Sequence, residues 1–184
     1  MAHPAALRKP PLRLVRVPSS EASLDLASIY RAHCRYVAAV ALRISGHRSE
    51  LDDTIQDVFA EAARGLEGLR DSDAIRAWLA TITVRVVRRR LRRERLYRWL
   101  IPAQDRDYEA IADPSASAHD RLLIARVYEV LSRMPVNDRV AFALHHIEGE
   151  TIDTVAALCE CSRTTAKRRV FRARTELEWR LGHD

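Results

Sequence analysis

The sequence predicts an all-α protein made of two small helical domains joined by a flexible acidic linker. Three observations lead there. Apolar residues recur at three- and four-residue intervals through most of the chain. Five Gly and 6% aromatic residues in 184 argue for helices over a strand-rich sandwich. Periodicity then vanishes from Ile101 to about Ala118, where Pro102, Pro114, Ser115 and Ser117 break it and Asp105, Asp107, Glu109 and Asp113 make it acidic. The expected division is a disordered basic arm over 1–20, a first helical domain over 21–100, a linker over 101–118 and a second domain over 119–184.

The first helix runs from about Glu21 to Ile44. Leu26, Tyr30, Val37, Ala41 and Ile44 mark its apolar face, and Ser45-Gly46 ends it. Leu51, Ile55, Val58, Phe59 and Ala62 mark a second helix closed by Gly65, whose opposite face carries Asp53, Gln56, Asp57 and Ala60. Asp71, Ser72 and Asp73 offer caps for a third helix. Its apolar face is Ile75, Trp78, Leu79, Ile82 and Val86, and it continues through an arginine run to Trp99. Beyond the linker, helices resume at Asp120. Leu123, Val127, Leu131 and Met134 lead to Pro135, and Val140, Leu144 and Ile147 mark a helix ending near Gly149. No long-period repeat and no strand pattern stands out.

Composition narrows the partners. A formal net charge of +6 points to a polyanion. The cations are nearly all Arg, with Lys only at Lys9 and Lys167, and Arg presents a bidentate fork to phosphate and guanine. Cys34, Cys159 and Cys161 are too few for a disulfide framework, which suits a reducing, cytoplasmic setting. No apolar run approaches the ~20 residues of a membrane span, and the N-terminus lacks the apolar core of a signal peptide.

Two basic elements carry the functional signal. Thr151 to Leu177 reads as a helix-turn-helix: Thr151 caps a first helix with Ile152, Val155, Ala156 and Cys159 on one face, and Ser162 caps a second. That second helix holds Arg163, Thr164, Thr165, Lys167, Arg168, Arg169, Arg172 and Arg174. Such a helix fits the major groove, with N-terminal residues at base edges and cations on phosphates. The turn position that usually holds Gly holds Glu160, which predicts a turn that is either slightly strained or differently built. The other element is the run from Arg85 to Arg98. Seven arginines between Arg85 and Arg95 repel one another with Glu94 as the local acid, a cost that favours an anionic partner. Tyr97 and Trp99 either add flat faces of the kind on which unstacked bases lie or cap the helix end against the domain, whereas Trp78 falls on the buried face.

Smaller features read as structural. Cys159 and Cys161, with Cys34 and His33, fall short of a four-ligand zinc site and occupy core positions flanking the turn. His145 and His146 are adjacent on a helix and make a poor chelate. No nucleophile–base set, phosphate-binding Gly loop or catalytic carboxylate pair is found, so neither an enzyme nor a cofactor or metal is expected. Asp52 and Asp53 serve as charges at a helix N-terminus.

Taken together, these segments resemble the extracytoplasmic-function (ECF, group IV) sigma factors of the bacterial sigma-70 family. Residues 51–64, LDDTIQDVFAEAAR, resemble region 2.2. Residues 75–93, IRAWLATITVRVVRRRLRR, resemble the region 2.3–2.4 helix. Pro135, Arg139, Phe142 and Leu144, the Glu148-Gly149 pair and the helix-turn-helix resemble region 4. Two departures stand out: Arg85 and Arg89 occupy positions where the family often has Asn and Asp, and Glu160 replaces the turn Gly.

The resemblance implies a subunit of core RNA polymerase that selects promoters, with β′ clamp helices and β flap as docking partners and an anti-sigma factor as regulator. Asp53, Gln56 and Asp57 would meet the clamp helices. Arg85, Arg88, Arg89, Arg92 and Arg93 would serve −10 melting, and Ser162, Arg163, Thr164, Thr165, Lys167, Arg168, Arg169 and Arg172 would serve −35 binding. The alternative is a stand-alone helix-turn-helix regulator whose N-terminal half is a sensor or dimerisation domain.

Overall fold

A computed structural model describes residues 25–68, 74–97, 108, 111 and 115–182. Among these the regular structure is helical: α1 (Leu26–Ser45), α2 (Leu51–Gly65), α3 (Ile75–Tyr97), α4 (Ala118–Arg133), α5 (Val136–Phe142), α6 (Ile152–Leu158) and α7 (Arg163–Gly182). A 3₁₀ turn at Leu66–Gly68 follows α2, and α5 widens into a π-helical turn at Ala143–Ile147.

Local chemistry sets most of the boundaries. The α1 helix starts at Leu26, because the Asp25 carboxylate accepts the orphan N–H groups of Ala27 and Ser28 at 3.3 Å each. The expected start near Glu21 lies outside the described residues, as do the Asp71–Asp73 caps, Arg98, Trp99 and most of the linker. Gly46 ends α1 with φ 75°, its N–H donating to the Leu42 carbonyl at 2.7 Å. Thr54, buried in the first turn of α2, satisfies its hydroxyl on the Glu50 carbonyl at 2.7 Å. Ser117 rather than Asp120 opens α4, taking the Asp120 N–H at 3.1 Å.

Packing follows from α3, which is apolar on two faces. Ile75, Leu79, Ile82 and Val86 join Ile29 and Val37 of α1 and Val58, Phe59 and Ala62 of α2 in a three-helix bundle. Ala80, Val84, Val87 and Leu91 form a second stripe, which packs with α1 residues Val40, Ala41 and Ile44 into a core shared with the second domain. That domain contributes Val140, Ala141, Ala143 and Leu144, Val155, Ala156, Leu158 and Cys159, and Ala166 and Val170. A third cluster ties Tyr128, Leu131 and Met134 at α4 to Ala173 and Leu177 of α7, with Tyr108 and Ile111 of the linker packed on it. The two helical domains expected from the sequence are thus pressed together, and α3 carries a second apolar face beside the Ile75, Leu79, Ile82 and Val86 face that the spacing predicts.

Candidate nucleic-acid interface

The helix-turn-helix forms as its caps predict. Thr151 Oγ1 accepts the Thr154 N–H at 3.1 Å to start α6, and Ser162 Oγ accepts the Thr165 N–H at 3.2 Å to start α7. Glu160 between them has φ 51°, the left-handed conformation that favours Gly, so the turn carries the predicted strain. Cys159 is buried, and burial pushes its thiol up to about 11, which leaves an inert hydrophobe. Among the described residues no cluster of His, Cys, Asp and Glu is arranged to hold a metal.

On α7 the predicted reading residues divide into two groups. Ser162, Arg163, Thr164, Lys167 and Arg168 are exposed at the amino-terminal end of the helix. Arg163 pairs with Asp153 at 3.1 Å, both largely exposed, so the contact is readily exchanged for a phosphate. Thr165 and Arg169 are half-buried. Arg172 differs: its guanidinium holds Asp138, a buried carboxylate of α5, at 2.7 Å. Its first role is to neutralise that buried charge between α5 and α7.

The α3 arginines are not a bare cationic run. Arg85 and Arg89 converge on Glu61 of α2 at 2.7 and 2.6 Å. Burial opposes ionisation of Glu61, but the hydrogen bonds from Arg89 and Arg85 outweigh it and hold the carboxyl below its usual range. Arg90 is gripped by Asp57 at 2.7 Å and Glu50 at 3.0 Å; burial works against its charge, and these bonds prevail and raise its pKa. Arg88 reaches the other domain, donating to the Cys159 carbonyl at 2.9 Å and meeting Glu160 at 3.2 Å. Arg92 donates to Asn137 Oδ1 at 3.1 Å, and Arg93 is exposed. The premise that Glu94 is the acid available to relieve this run therefore needs correction: Glu50, Asp57, Glu61 and Glu160 share that work across the tertiary fold.

The acidic patch on α2 is likewise divided. Asp53 and Gln56 are exposed on the solvent face. Asp57 lies one turn further on, half-buried and turned toward Arg90 and Arg89, the latter at 3.9 Å. Sequence reasoning missed Glu61 and Glu50 as partners, although Asp57 and Glu61 stand at i and i+4, one acidic ridge opposite an Arg helix. It also missed Arg139, a buried cation of α5 that donates to the Ile44 and Ser45 carbonyls at the end of α1.

Comparison with known proteins fits this arrangement. Residues 29–97 match the Sigma-70 region 2 family and residues 124–177 match Sigma-70, region 4. The chain is 30% identical over 155 residues to the ECF RNA polymerase sigma factor SigM of Mycobacterium tuberculosis, spanning 84% of this chain and 76% of SigM. It is 25% identical over 162 residues to the ECF RNA polymerase sigma-E factor of Escherichia coli K12, spanning 78% and 81%. Among solved structures, CnrH in complex with the cytosolic domain of CnrY superposes with TM-score 0.57 at 26% identity, over 86% of this chain and 88% of that one. The sigma factor RpoE of Bartonella quintana, solved with the anti-sigma factor NepR, shares the fold with TM-score 0.63 at 22% identity, over 87% and 98%. The α1–α3 bundle fills the region 2 match, the α4–α7 unit fills the region 4 match, and SigM aligns across both: the chain belongs to the ECF RNA polymerase sigma factors of the sigma-70 family.

Proposed function

We propose that this chain binds core RNA polymerase in the cytoplasm and directs it to promoters, with α3 serving the −10 element and α7 the −35 element. The observation that carries this reading is the pairing, in one chain, of a capped helix-turn-helix exposing Arg163, Thr164, Lys167 and Arg168 with a separate Arg-rich helix braced from behind by acids. Ser162, Arg163 and Thr164, exposed at the start of α7, would meet base edges in a major groove about 12 Å wide. Lys167, Arg168 and Arg169 follow along the helix, where cations meet phosphates. On α3, Glu61 splays Arg85 and Arg89 along one face with Arg93 a turn beyond, a fixed cationic edge for a displaced strand. Asp53 and Gln56 offer an acceptor-rich surface to the β′ clamp helices, and the α4–α7 domain meets the β flap. The chain supplies recognition and the polymerase supplies the chemistry. An anti-sigma factor is the expected regulator, because RpoE and CnrH were each solved with a bound partner protein.

Run-off transcription with purified core RNA polymerase, with and without the chain, on upstream regions of its own genome tests this directly. Transcripts with defined start sites are expected when the chain is present and absent without it. No transcripts and no binding to core polymerase would favour the stand-alone regulator instead.

A further inference from the structure

We propose that Arg85, buttressed by Glu61, reads a guanine in the −10 element, so that promoters served by this chain carry guanine at one position of that element. The inference deepens the promoter reading above and rests on it.

The two guanidiniums on Glu61 are held differently. Arg85 turns its side-on edge to the carboxylate: Nε and Nη2 both donate to Oε2, at 3.1 and 2.7 Å. Arg89 gives one nitrogen, Nη1, to Oε1 at 2.6 Å, and its Nη2 lies 3.9 Å from Asp57. A guanidinium carries five N–H donors in one plane. With the side-on pair committed, Arg85 keeps its end-on fork, one N–H from Nη1 and one from Nη2, for a second pair of acceptors. Glu61 is the more buried partner, 13% exposed against 47%, so the carboxylate stands behind the guanidinium and the fork in front of it.

This arrangement suits a base edge better than a phosphate. The carboxylate fixes the arginine in the folded chain, so little ordering is left to be done when the ligand arrives. Its negative charge also offsets the cations it holds, which weakens the long-range pull on phosphate that exposed Arg93 keeps. What remains is direction: two parallel N–H bonds that match two adjacent acceptors. Guanine offers such a pair in O6 and N7, whereas adenine sets an N–H donor beside its N7. The O6 and N7 edge lies outside base pairing, so a fork seated there can hold the same base in the duplex and in the displaced strand. The position is one of this chain's departures from the family pattern. Asn, which the family often has there, offers one donor and one acceptor and matches adenine, so Arg85 exchanges one preference for another.

The test is run-off transcription by core polymerase carrying the chain, on an upstream region it transcribes, with the −10 element randomised and the transcripts sequenced. Guanine is expected to be enriched about tenfold at one position of the element. Arg85→Ala should abolish that enrichment and leave the preferences at the other positions as they are. Arg85→Lys keeps the charge without the fork and should lose the enrichment too, which separates reading a base from holding a phosphate. Glu61→Gln keeps the arginine but loosens it, and should reduce the enrichment severalfold at that position alone. A merely structural Glu61 would lower the yield on every template alike. Binding of each variant to core polymerase, followed by fluorescence anisotropy, reports that it has folded. Transcripts with no guanine preference in the −10 element, or a preference that persists in Arg85→Ala or Arg85→Lys, would overturn the assignment. Failure of the unaltered chain to support transcription from any upstream region would instead defeat the promoter reading.

Discussion

Glu61 decides how the cationic edge of α3 is presented. Its carboxylate takes Arg85 and Arg89 together, at 2.7 and 2.6 Å, and sits below its ordinary value of 4.5. A carboxylate with a depressed folded pKa adds stability that is fully present above its unfolded value and is lost as pH falls through the folded one. Both arginines are about half exposed, so solvent screening keeps the contribution to about 1 kcal/mol. Glu61→Gln should therefore cost about 1 kcal/mol at pH 7 in urea denaturation, with the difference from the unaltered chain shrinking below pH 4.5. A constant difference from pH 7 to pH 3 would show that the charge on Glu61 has no part in it. Cys159 stands at the other extreme: a thiol raised to about 11 by burial stays protonated at neutral pH and packs as a small apolar side chain.

At the scale of elements, α2 faces two ways, and its carboxylates separate accordingly. Asp53 is exposed, whereas Asp57 braces Arg90, which is only 16% exposed. Charge reversal should distinguish them. Asp53→Arg is expected to weaken binding to core polymerase while costing about 1 kcal/mol of stability, since it exchanges a favourable charge in the first turn of α2 for an unfavourable one. Asp57→Arg should lower stability by about 2 kcal/mol as well, since it sets like charge against the largely buried Arg90 and leaves it Glu50 alone as an acidic partner. Equal polymerase affinity for the Asp53 variant, measured by fluorescence anisotropy, would remove the docking role from this face. The end of α1 is a second such element. A Cβ at Gly46 would be strained at φ 75° and would clash with the ring of Tyr128. Gly46→Ala is expected to cost about 2–4 kcal/mol, from left-handed strain and overpacking together, and to lower Tm by on the order of 10 °C. An unchanged Tm would mean that α1 and α4 do not meet in solution as they do here.

For the whole molecule, the shared core couples the two domains. Residues of α1 and α3 are buried in one cluster with residues of α5, the π-helical turn, α6 and α7. A fully buried aliphatic side chain contributes roughly 1.5–3 kcal/mol, so a seam of this kind outweighs the polar contacts at its ends. Calorimetry of the free chain should accordingly show one transition, with calorimetric and van't Hoff enthalpies in agreement. Two resolved transitions would show that the domains melt separately and that the seam is weak. Among the described residues no helix is long and apolar enough to cross a membrane.

Sequence by itself determined what acts over a turn or two. Apolar spacing placed the helices, Thr151 and Ser162 placed the start of each arm of the helix-turn-helix, and Gly46 placed the end of α1, because a cap needs only a side chain and the next few backbone N–H or C=O groups. It also determined the family, since motifs of both regions lie in order along the chain. Tertiary structure decided which charges meet. Arg85 finds Glu61 24 residues away and Arg88 finds Glu160 72 residues away, separations at which one helical face has many eligible partners. It decided, too, that the second apolar stripe of α3 is covered by the other domain. A stripe at helical spacing reports that a face must be buried, and only the packed chain determines what buries it.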